Sequence, residues 1–435
     1  MRRLPLVLAA GALVTVLATV AIGTGVVAIR GAATTGPLAV ASPTPSAAPA
    51  PTPEPTRARP TASPFIATSI DLPGITGRLQ AALDKGRAAL VAPGMQASVI
   101  FADGRQWTGI SGVADLATGR ALTLDTPFAI ASVSKTFLAA EVLLLIDAGQ
   151  LSLDDAPARL LPTTLVGGAP IDPLITVRML LDHTSGLGDY LTSRSLDAAV
   201  RAEPMAVWTP EQSLAYVARA AGKPGEGYHY ANTNYVLLGL IVEQITGRTL
   251  AEEFRARFFE PLGLSSASYQ GAEPPAAQLP TSYRYSSGRL DATPQDVTDG
   301  TDIRPFTAIT TATGAAGSVA ISARDLVHWA RALYGGLVLP PDTLALMVAD
   351  AAVTQTRKPA YPYGLGVQVL TIDGRVTYGH SGRLVGARSI VRWFPDAGVA
   401  IAILTNESRY DTTSILRDML AIVAPHESGR GPLPT

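Results

Sequence analysis

The chain has 435 residues and is close to electroneutral, with 34 Lys and Arg against 35 Asp and Glu. This balance lacks the basic surface that nucleic-acid binding requires, so we expect no nucleic-acid partner. Cysteine is absent, which excludes disulfides, thiolate metal sites and cysteine nucleophiles. Hydrophobic residues make up 47% of the chain, which is enough for a large core.

The first 33 residues predict a segment that enters a membrane. Arg2 and Arg3 precede Leu4–Ile29, a run without any charged residue that would span roughly 39 Å as a helix. The apolar core of a signal peptide is usually only about 7–15 residues long. We therefore expect residues 1–33 to be an uncleaved anchor that leaves the rest of the chain outside the cytoplasm. The alternative is a cleaved signal peptide and a secreted protein.

Residues 34–68 differ in composition from both flanking regions. Proline recurs throughout this segment among Ala, Ser and Thr. Such a composition cannot bury a core and prefers extended conformations. We interpret 34–68 as a linker, 69–425 as the folded domain and 426–435 as a short C-terminal tail.

Two β-hairpins are predicted near the ends of the folded domain. The strand-like runs Gln96–Ala102 and Gln106–Val113 flank an Asp103-Gly104 turn, which is a strong hairpin signal. Arg388–Phe394 and Val399–Thr405 flank a second turn that contains Pro, Asp and Gly.

Helical patterns occupy most of the chain between and beside these hairpins. The segments Ser132–Ala148, Asn234–Thr246, Ser322–Tyr334 and Thr412–Val423 show helical spacing of apolar residues. The first is apolar almost all round, which is typical of a buried helix. Together these features predict an α+β fold, in which N-terminal and C-terminal strands form an antiparallel sheet with flanking helices and an inserted, mainly helical subdomain.

Residues 271–306 carry few periodic signals and several prolines. Long irregular loops in compact domains often form the walls of a functional site. The alternative is a surface insertion without a role in the site.

The sequence Ser132-x-x-Lys135 opens the predicted buried helix. Residues three apart share a helix face, so the Ser132 hydroxyl and the Lys135 amine can meet. Poor solvation lowers the pKa of a lysine, and a neutral amine can take the proton of a serine nucleophile. The alternative is a helix-capping serine followed by a solvent-facing lysine.

Two further motifs contain groups that suit acyl transfer. Tyr230-x-Asn232 precedes a predicted helix, and a phenol near an ammonium can shuttle a proton while an amide binds a substrate amide. His380-x-Gly382 lies in the stretch leading into the second hairpin, where glycine lets a substrate approach the backbone. The structural alternatives are a helix cap with a core-edge tyrosine and a strand-end turn.

Taken in this order, the three motifs resemble those of the penicillin-recognising serine hydrolases. The flanking sequences Phe128–Ser132 and His183–Leu187 are similar to that family as well. Its relevant branch contains class C β-lactamases, D-Ala-D-Ala carboxypeptidases and esterases with a β-lactamase fold. The resemblance covers about residues 75–422 and implies the β-lactamase/transpeptidase-like fold.

The resemblance also implies a role for each residue of the motifs. Ser132 would be the acylated nucleophile, and Lys135 and Tyr230 its proton-transfer partners, of which either can be the general base. Asn232 would hold Lys135 and the amide of the substrate. The backbone N–H groups of Ser132 and Arg383 would form the oxyanion hole. We expect neither a metal nor a cofactor.

The third motif departs from the form found in many β-lactamases, which have lysine where this chain has His380. A histidine is a weaker, pH-dependent cation, and this disfavours a β-lactamase. We expect His380, Ser381, Gly382 and Arg383 to bind the substrate. Arg383 and Arg375 are candidates to neutralise a substrate carboxylate.

The function predicted from these residues is a D-alanyl-D-alanine carboxypeptidase-type peptidase that acts on cell-wall peptides outside the membrane. An esterase or a β-lactamase that uses the same residues is the alternative, since substrate choice lies in the walls of the pocket. A slow penicillin-binding or sensing protein is a third hypothesis. The expected partners are a small peptide, ester or β-lactam and, through residues 1–33, the membrane. His183 and Ser185 are interpreted as structural turn residues.

Overall fold

The computed structural model describes residues 74–217, 220–286, 293–349 and 360–425 with their side chains, and 352–353 as backbone. The predicted anchor, linker and tail (1–33, 34–68 and 426–435) lie outside these ranges. In the described part, no helix combines the length and the apolar character needed to cross a bilayer.

An antiparallel sheet forms the centre of the described domain. The strands, in chain order, are β1 (Gly94–Ile100), β2 (Gln106–Gly112), β3 (Phe128–Ala129), β4 (Leu165–Val166), β5 (Ala169–Pro170), β6 (Ser268–Tyr269), β7 (Tyr283–Tyr285), β8 (Pro294–Asp296), β9 (Val319–Ile321), β10 (Ala352–Val353), β11 (Pro362–Tyr363), β12 (Gln368–Ile372), β13 (Arg375–Leu384), β14 (Ala387–Phe394) and β15 (Val399–Thr405). Eight of them form the central sheet in the order β10-β11-β12-β13-β14-β15-β1-β2. Three short strands form a second sheet in the order β3-β9-β6, and β4–β5 and β7–β8 are separate pairs.

The two predicted hairpins are both present in the central sheet, as β1–β2 and β14–β15. They lie side by side, because β1 pairs with β15 and Met95 lies opposite Thr405. Every residue of β1 and β15 is buried, as expected for strands that are covered on both faces. The predicted α+β class, with a sheet built from both ends of the domain, is confirmed.

The predicted helices are also found, with small changes at their ends. The described helices are α1 (Ile75–Leu90), α2 (Lys135–Asp147), α3 (Pro157–Leu160), α4 (Val177–Leu181), α5 (Arg194–Ala202), α6 (Pro210–Leu214), α7 (Asn232–Thr246), α8 (Leu250–Phe254), α9 (Thr307–Thr313), α10 (Ala323–Tyr334), α11 (Pro341–Ala349) and α12 (Thr413–Val423). The four predicted segments correspond to α2, α7, α10 and α12. The first of them begins with a 3₁₀ turn, Ala131–Ser134, before it becomes α-helical.

Helices cover both faces of the central sheet. On one face α1 packs with α12, and their Leu83 and Met419 side chains share a core with the sheet. On the other face α10 packs against β1, β14 and β15. The next layer includes α2, whose Phe137 ring stacks on Trp329 of α10 with centroids 3.9 Å apart. This inner position explains why α2 is apolar almost all round.

The third motif lies inside the strand that comes just before the second hairpin, so the stretch leads into that hairpin as predicted. His380–Gly382 belongs to the ten-residue strand β13. This strand is joined to β12 by the two-residue turn Asp373-Gly374, and both turn residues have positive φ angles. An Asp-Gly pair is a typical signal for such a turn. The sequence therefore contains a signal for β13 in addition to the two predicted hairpins.

Candidate active site

The Ser132 hydroxyl is presented by a strained turn at the start of α2. The preceding residue, Ala131, has a φ angle of 47°, in the left-handed region that side chains disfavour. The carbonyl of Ile130 accepts a hydrogen bond of 2.6 Å from the Ser389 hydroxyl of β14. The turn that carries Ser132 is therefore fixed to the central sheet.

The Lys135 amine lies directly behind Ser132 and is fully buried. Its Nζ donates to Ser132 Oγ at 3.1 Å, to Asn232 Oδ1 at 2.7 Å and to the Ala316 carbonyl at 2.8 Å. Burial lowers the pKa of Lys135 from 10.5 to about 7, and the Asp189 carboxylate opposes this shift. A neutral amine would keep two N–H groups for Asn232 and Ala316 and turn its lone pair towards Ser132.

The second motif approaches the same hydroxyl from the start of α7. The Tyr230 hydroxyl lies 2.9 Å from Ser132 Oγ, and the Lys135 Nζ lies 5.1 Å from the centroid of the Tyr230 ring. Asn232 Oδ1 accepts from Lys135. The structure thus brings together a hydroxyl, an amine and a phenol, and either of the last two could act as the base that activates a serine nucleophile.

His380 lies at the cavity wall, but both its ring nitrogens bind groups of the protein. The ring is buried, and Nδ1 lies 2.7 Å from the Ser381 carbonyl oxygen, so Nδ1 carries the proton of this bond. Nε2 lies 2.9 Å from the Tyr363 hydroxyl. These contacts link β13 to Tyr363 of β11.

Gly382 allows β13 to pack closely against the turn of the nucleophile. A Cβ at this position would lie 2.1 Å from the Ile130 carbonyl oxygen and 2.3 Å from the Ser389 hydroxyl. The sequence predicts that the absent side chain makes room for substrate. The structure shows that it also makes room for the backbone that leads to Ser132.

A polar cavity of about 340 Å³ lies over Ser132. Its lining includes the predicted site residues other than the buried Lys135 and the candidate Arg375, namely Ser132, Tyr230, Asn232, His380, Ser381, Gly382 and Arg383. A neighbouring cavity of about 830 Å³ shares Asn232 and Arg383 with it. Parts of the 271–306 segment, including Tyr285 and Phe306, line the larger cavity, so this segment forms a wall beside the site.

The resemblance implies that the backbone N–H groups of Ser132 and Arg383 form an oxyanion hole, and the strand pairing bears on the direction of the second. The Ser381 N–H is bound by Gln368 Oε1 at 3.2 Å, on the edge of β13 that faces β12. Alternate residues of a strand direct their N–H groups to the same edge, so the Arg383 N–H points to that edge too. The pairing with β12 ends at Gly379, and Arg383 lies beyond that point and lines the cavity. The Ser132 N–H lies in a first helical turn, where N–H groups have no acceptor within the helix.

Comparison with known protein families identifies the fold around this site. Residues 79–424 match the family described as Beta-lactamase. The chain belongs to the beta-lactamase family. Together with the geometry of the site, this membership makes it a serine hydrolase with the fold of β-lactamases and penicillin-binding proteins, as the motifs predict.

Relatives within this family carry different activities in their names. Penicillin-binding protein 4 from Amycolatopsis lactamdurans is 32% identical over 342 residues, which cover 75% of this chain and 85% of the relative. Esterase EstB from Burkholderia gladioli is 29% identical over 387 residues, covering 78% and 92% of the two chains. The crystal structure of a D-stereospecific amidohydrolase from Streptomyces sp. is similar, with a TM-score of 0.68 and 28% identity, covering 80% of this chain and 98% of the other.

Sequence reasoning missed two polar residues at the site of this beta-lactamase-family hydrolase. Asp189 accepts from the Asn232 amide nitrogen at 3.0 Å, and Gln368 binds the Ser381 backbone. Asp189 follows the similar stretch His183–Leu187 by two residues, which is the signal that points to it. Gln368 opens β12 and has no motif to mark it.

His183 has the structural role predicted for it. The ring is fully buried and lies 4.2 Å from the Tyr230 ring, centroid to centroid. Its Nδ1 accepts from the Ala231 N–H at 3.3 Å, so the ring supports the backbone between Tyr230 and Asn232. Burial holds the pKa of His183 well below its usual value, which keeps the imidazole neutral.

Arg375 lies outside the site, which corrects its prediction as a carboxylate ligand. It begins β13, far along the strand from Arg383. Its guanidinium pairs with Asp396 and donates to the Ala424 carbonyl at 3.2 Å. Of the two predicted arginines, Arg383 is the one that lines the catalytic cavity.

Proposed function

We propose that the protein is a D-alanyl-D-alanine carboxypeptidase-type peptidase that acts on cell-wall peptides through an acyl-enzyme on Ser132. The supporting observation is that Arg383 lines the same cavity as Ser132. In the part of the chain that the structure describes, no carboxylate pairs with this guanidinium. A guanidinium binds a carboxylate through two parallel hydrogen bonds, so Arg383 suits the free carboxylate of a C-terminal residue.

Acylation would begin with attack of Ser132 Oγ on the carbonyl carbon of the last peptide bond. The hydroxyl proton passes to neutral Lys135 or, through the adjacent phenol, to the pair formed by Lys135 and Tyr230. The N–H groups of Ser132 and Arg383 stabilise the oxyanion, and each such donor is worth about 3 kcal/mol in the transition state. Tyr230 then returns a proton to the leaving nitrogen, and the terminal residue departs as a free amino acid.

Deacylation would use the same groups with water as the nucleophile. The polar cavity over Ser132 admits water, and Lys135 or Tyr230 takes its proton while the N–H groups again bind the oxyanion. Collapse of the tetrahedral intermediate breaks the ester bond and returns the proton to Ser132 Oγ. The products are the shortened peptide and the free enzyme.

The names of two similar proteins support a peptide substrate that contains D-residues. The relative from Amycolatopsis lactamdurans is named a penicillin-binding protein, and the similar Streptomyces structure is titled a D-stereospecific amidohydrolase. Both names describe amide or lactam substrates. This agrees with a site that can protonate a leaving amine.

The proposal is tested by replacing the two arginines of β13 separately. Release of D-alanine from a D-Ala-D-Ala peptide is measured for wild type, Arg383→Gln and Arg375→Gln. We expect Arg383→Gln to raise KM for the peptide about tenfold or more and to leave the hydrolysis of a neutral ester much less affected. Arg375→Gln is the matched control from the same strand. Absence of D-alanine release by wild type would refute the proposal.

An esterase that uses the same residues is the second candidate. It is favoured by the similarity to an enzyme named esterase EstB, which extends over 78% of this chain and 92% of that enzyme. Intact-mass measurement of wild type and Ser132→Ala separates the candidates. Labelling of Ser132 by a penicillin favours the peptidase, and rapid ester turnover without labelling favours the esterase. Catalytic turnover of the penicillin would indicate a β-lactamase.

We also propose that the hydrolase domain works outside the cytoplasm, held by residues 1–33 as a membrane anchor. The uncharged run after Arg2 and Arg3 supports this orientation. Mass spectrometry of the protein from membrane and culture-medium fractions tests it. A mature N-terminus after residue 28 or 33, found in the medium, would support the cleaved signal peptide instead.

A further inference from the structure

Asp189 contacts the second motif from a neighbouring loop. It directly precedes the 3₁₀ turn Tyr190–Thr192. Its Oδ1 accepts from the Leu191 N–H at 3.1 Å and from the Asn232 N–H at 3.2 Å. Its Oδ2 accepts from the Asn232 side-chain nitrogen at 3.0 Å. One carboxylate therefore binds both the backbone and the side chain of Asn232.

The Asn232 amide has a single orientation that suits both its neighbours. Lys135 offers only N–H donors to Asn232, so the amide must present its oxygen to the amine. Asn232 Oδ1 lies 2.7 Å from Lys135 Nζ. The Asp189 carboxylate offers only acceptors, so the amide must present its nitrogen there. A flipped amide would direct its N–H groups at the ammonium and its oxygen at the carboxylate. Asp189 thus fixes the end of the amide that holds Lys135.

Few ionisable groups face the Lys135 amine. The rings of Tyr230 and Tyr235 lie 5.1 Å and 5.3 Å from Nζ. His183 interacts with Lys135 electrostatically but stays neutral, because burial holds its pKa far below the usual value. Among the described residues, Asp189 is the carboxylate whose charge opposes the loss of the Lys135 proton.

We propose that Asp189 is a positioning residue of this serine hydrolase, which holds Asn232 against Lys135 and so keeps the amine beside the Ser132 hydroxyl. It acts through Asn232 and by its charge, and it does not touch the reacting atoms. The inference rests on Ser132 being the nucleophile. It applies equally to a peptide and to an ester substrate.

Asp189→Asn tests the charge without changing the size of the side chain. We expect kcat/KM for a neutral aryl ester to fall between about tenfold and a hundredfold, since small displacements of catalytic groups have effects of this size. We also expect the acidic limb of the profile of kcat/KM against pH to move to lower pH, because the ammonium of Lys135 loses a stabilising charge. A merely structural role would leave that limb in place.

Asp182→Asn is the matched control, because Asp182 lies in the same loop and also accepts from a backbone N–H, that of Thr184, at 2.9 Å. It does not contact Asn232, so the acidic limb should stay at its wild-type position. Circular dichroism and thermal unfolding show whether each variant is folded.

A double-mutant cycle tests whether Asp189 acts through Asn232. We expect Asp189→Ala to cost much less in an Asn232→Ala background than in wild type, since residues that act as a unit are not additive. An unshifted limb in Asp189→Asn together with additive losses would overturn the proposal. Full activity of Ser132→Ala would instead refute the assignment of the nucleophile.

Discussion

The buried Lys135 should make the rate of acylation depend on pH. Burial lowers its pKa from 10.5 to about 7, and only the neutral amine can accept the Ser132 proton. The ratio of neutral to protonated amine changes tenfold per pH unit, so roughly one tenth is neutral at about pH 6 and nine tenths at about pH 8. We therefore expect kcat/KM to rise about tenfold between these pH values and to level off above them.

The assay is the initial rate of hydrolysis of a neutral aryl ester, measured from about pH 5.5 to about pH 9. Tyr230→Phe is the control, because it removes the phenol that lies 2.9 Å from Ser132 Oγ and retains the amine. We expect this variant to be slower but to keep the same acidic limb. A value of kcat/KM for wild type that does not change between about pH 6 and about pH 8 would refute the reasoning. Loss of the limb in Tyr230→Phe would identify the phenol as the titrating group.

Three further predictions concern stability. Gly382→Ala puts a Cβ 2.1 Å from the Ile130 carbonyl oxygen; we expect about 1–3 kcal/mol of destabilisation and lower activity, and an unchanged melting temperature would contradict this. Between about pH 7 and 10.5, Lys135 is neutral in the folded state and protonated in the unfolded state. The unfolding free energy of wild type, relative to that of Lys135→Met, should therefore rise by about 1.4 kcal/mol per pH unit in this range. Urea unfolding at about pH 7 and about pH 9 measures this difference, and an equal difference at both pH values would contradict the prediction. Tyr363→Phe removes the hydroxyl that lies 2.9 Å from His380 Nε2; we expect a loss of about 1–3 kcal/mol, and equal unfolding free energies would show that the bond contributes nothing.

The parts of the site that could be predicted are those determined by local chemistry. Ser132 and Lys135 are one helical turn apart, and that spacing alone indicates that their side chains can meet, as the 3.1 Å contact shows. Tyr230 and Asn232 come from a distant segment. Their placement was predictable only because the three motifs together resemble a known family.

The parts that could not be predicted depend on contacts between segments far apart in the chain. Alternation of apolar and polar residues indicates a strand, but it does not show which groups its side chains will contact. The hydrogen bond between His380 and Tyr363 could therefore not be predicted. Asp189 lies just after the stretch His183–Leu187, but that position does not indicate a contact with Asn232. Helix α1 was also missed, because only Leu79, Ala82 and Leu83 are buried along its length, a weak apolar stripe.

The pairing of β1 with β15 has a consequence for the synthesis of the chain. Met95 finds its partner only when Thr405 has left the ribosome, so the central sheet cannot close until almost the whole domain has been made. Pairings between such distant segments form slowly, since a long loop must close before they contribute. A nascent chain that ends before residue 399 lacks the strand between β14 and β1, and truncation there should give an unfolded product rather than a smaller enzyme.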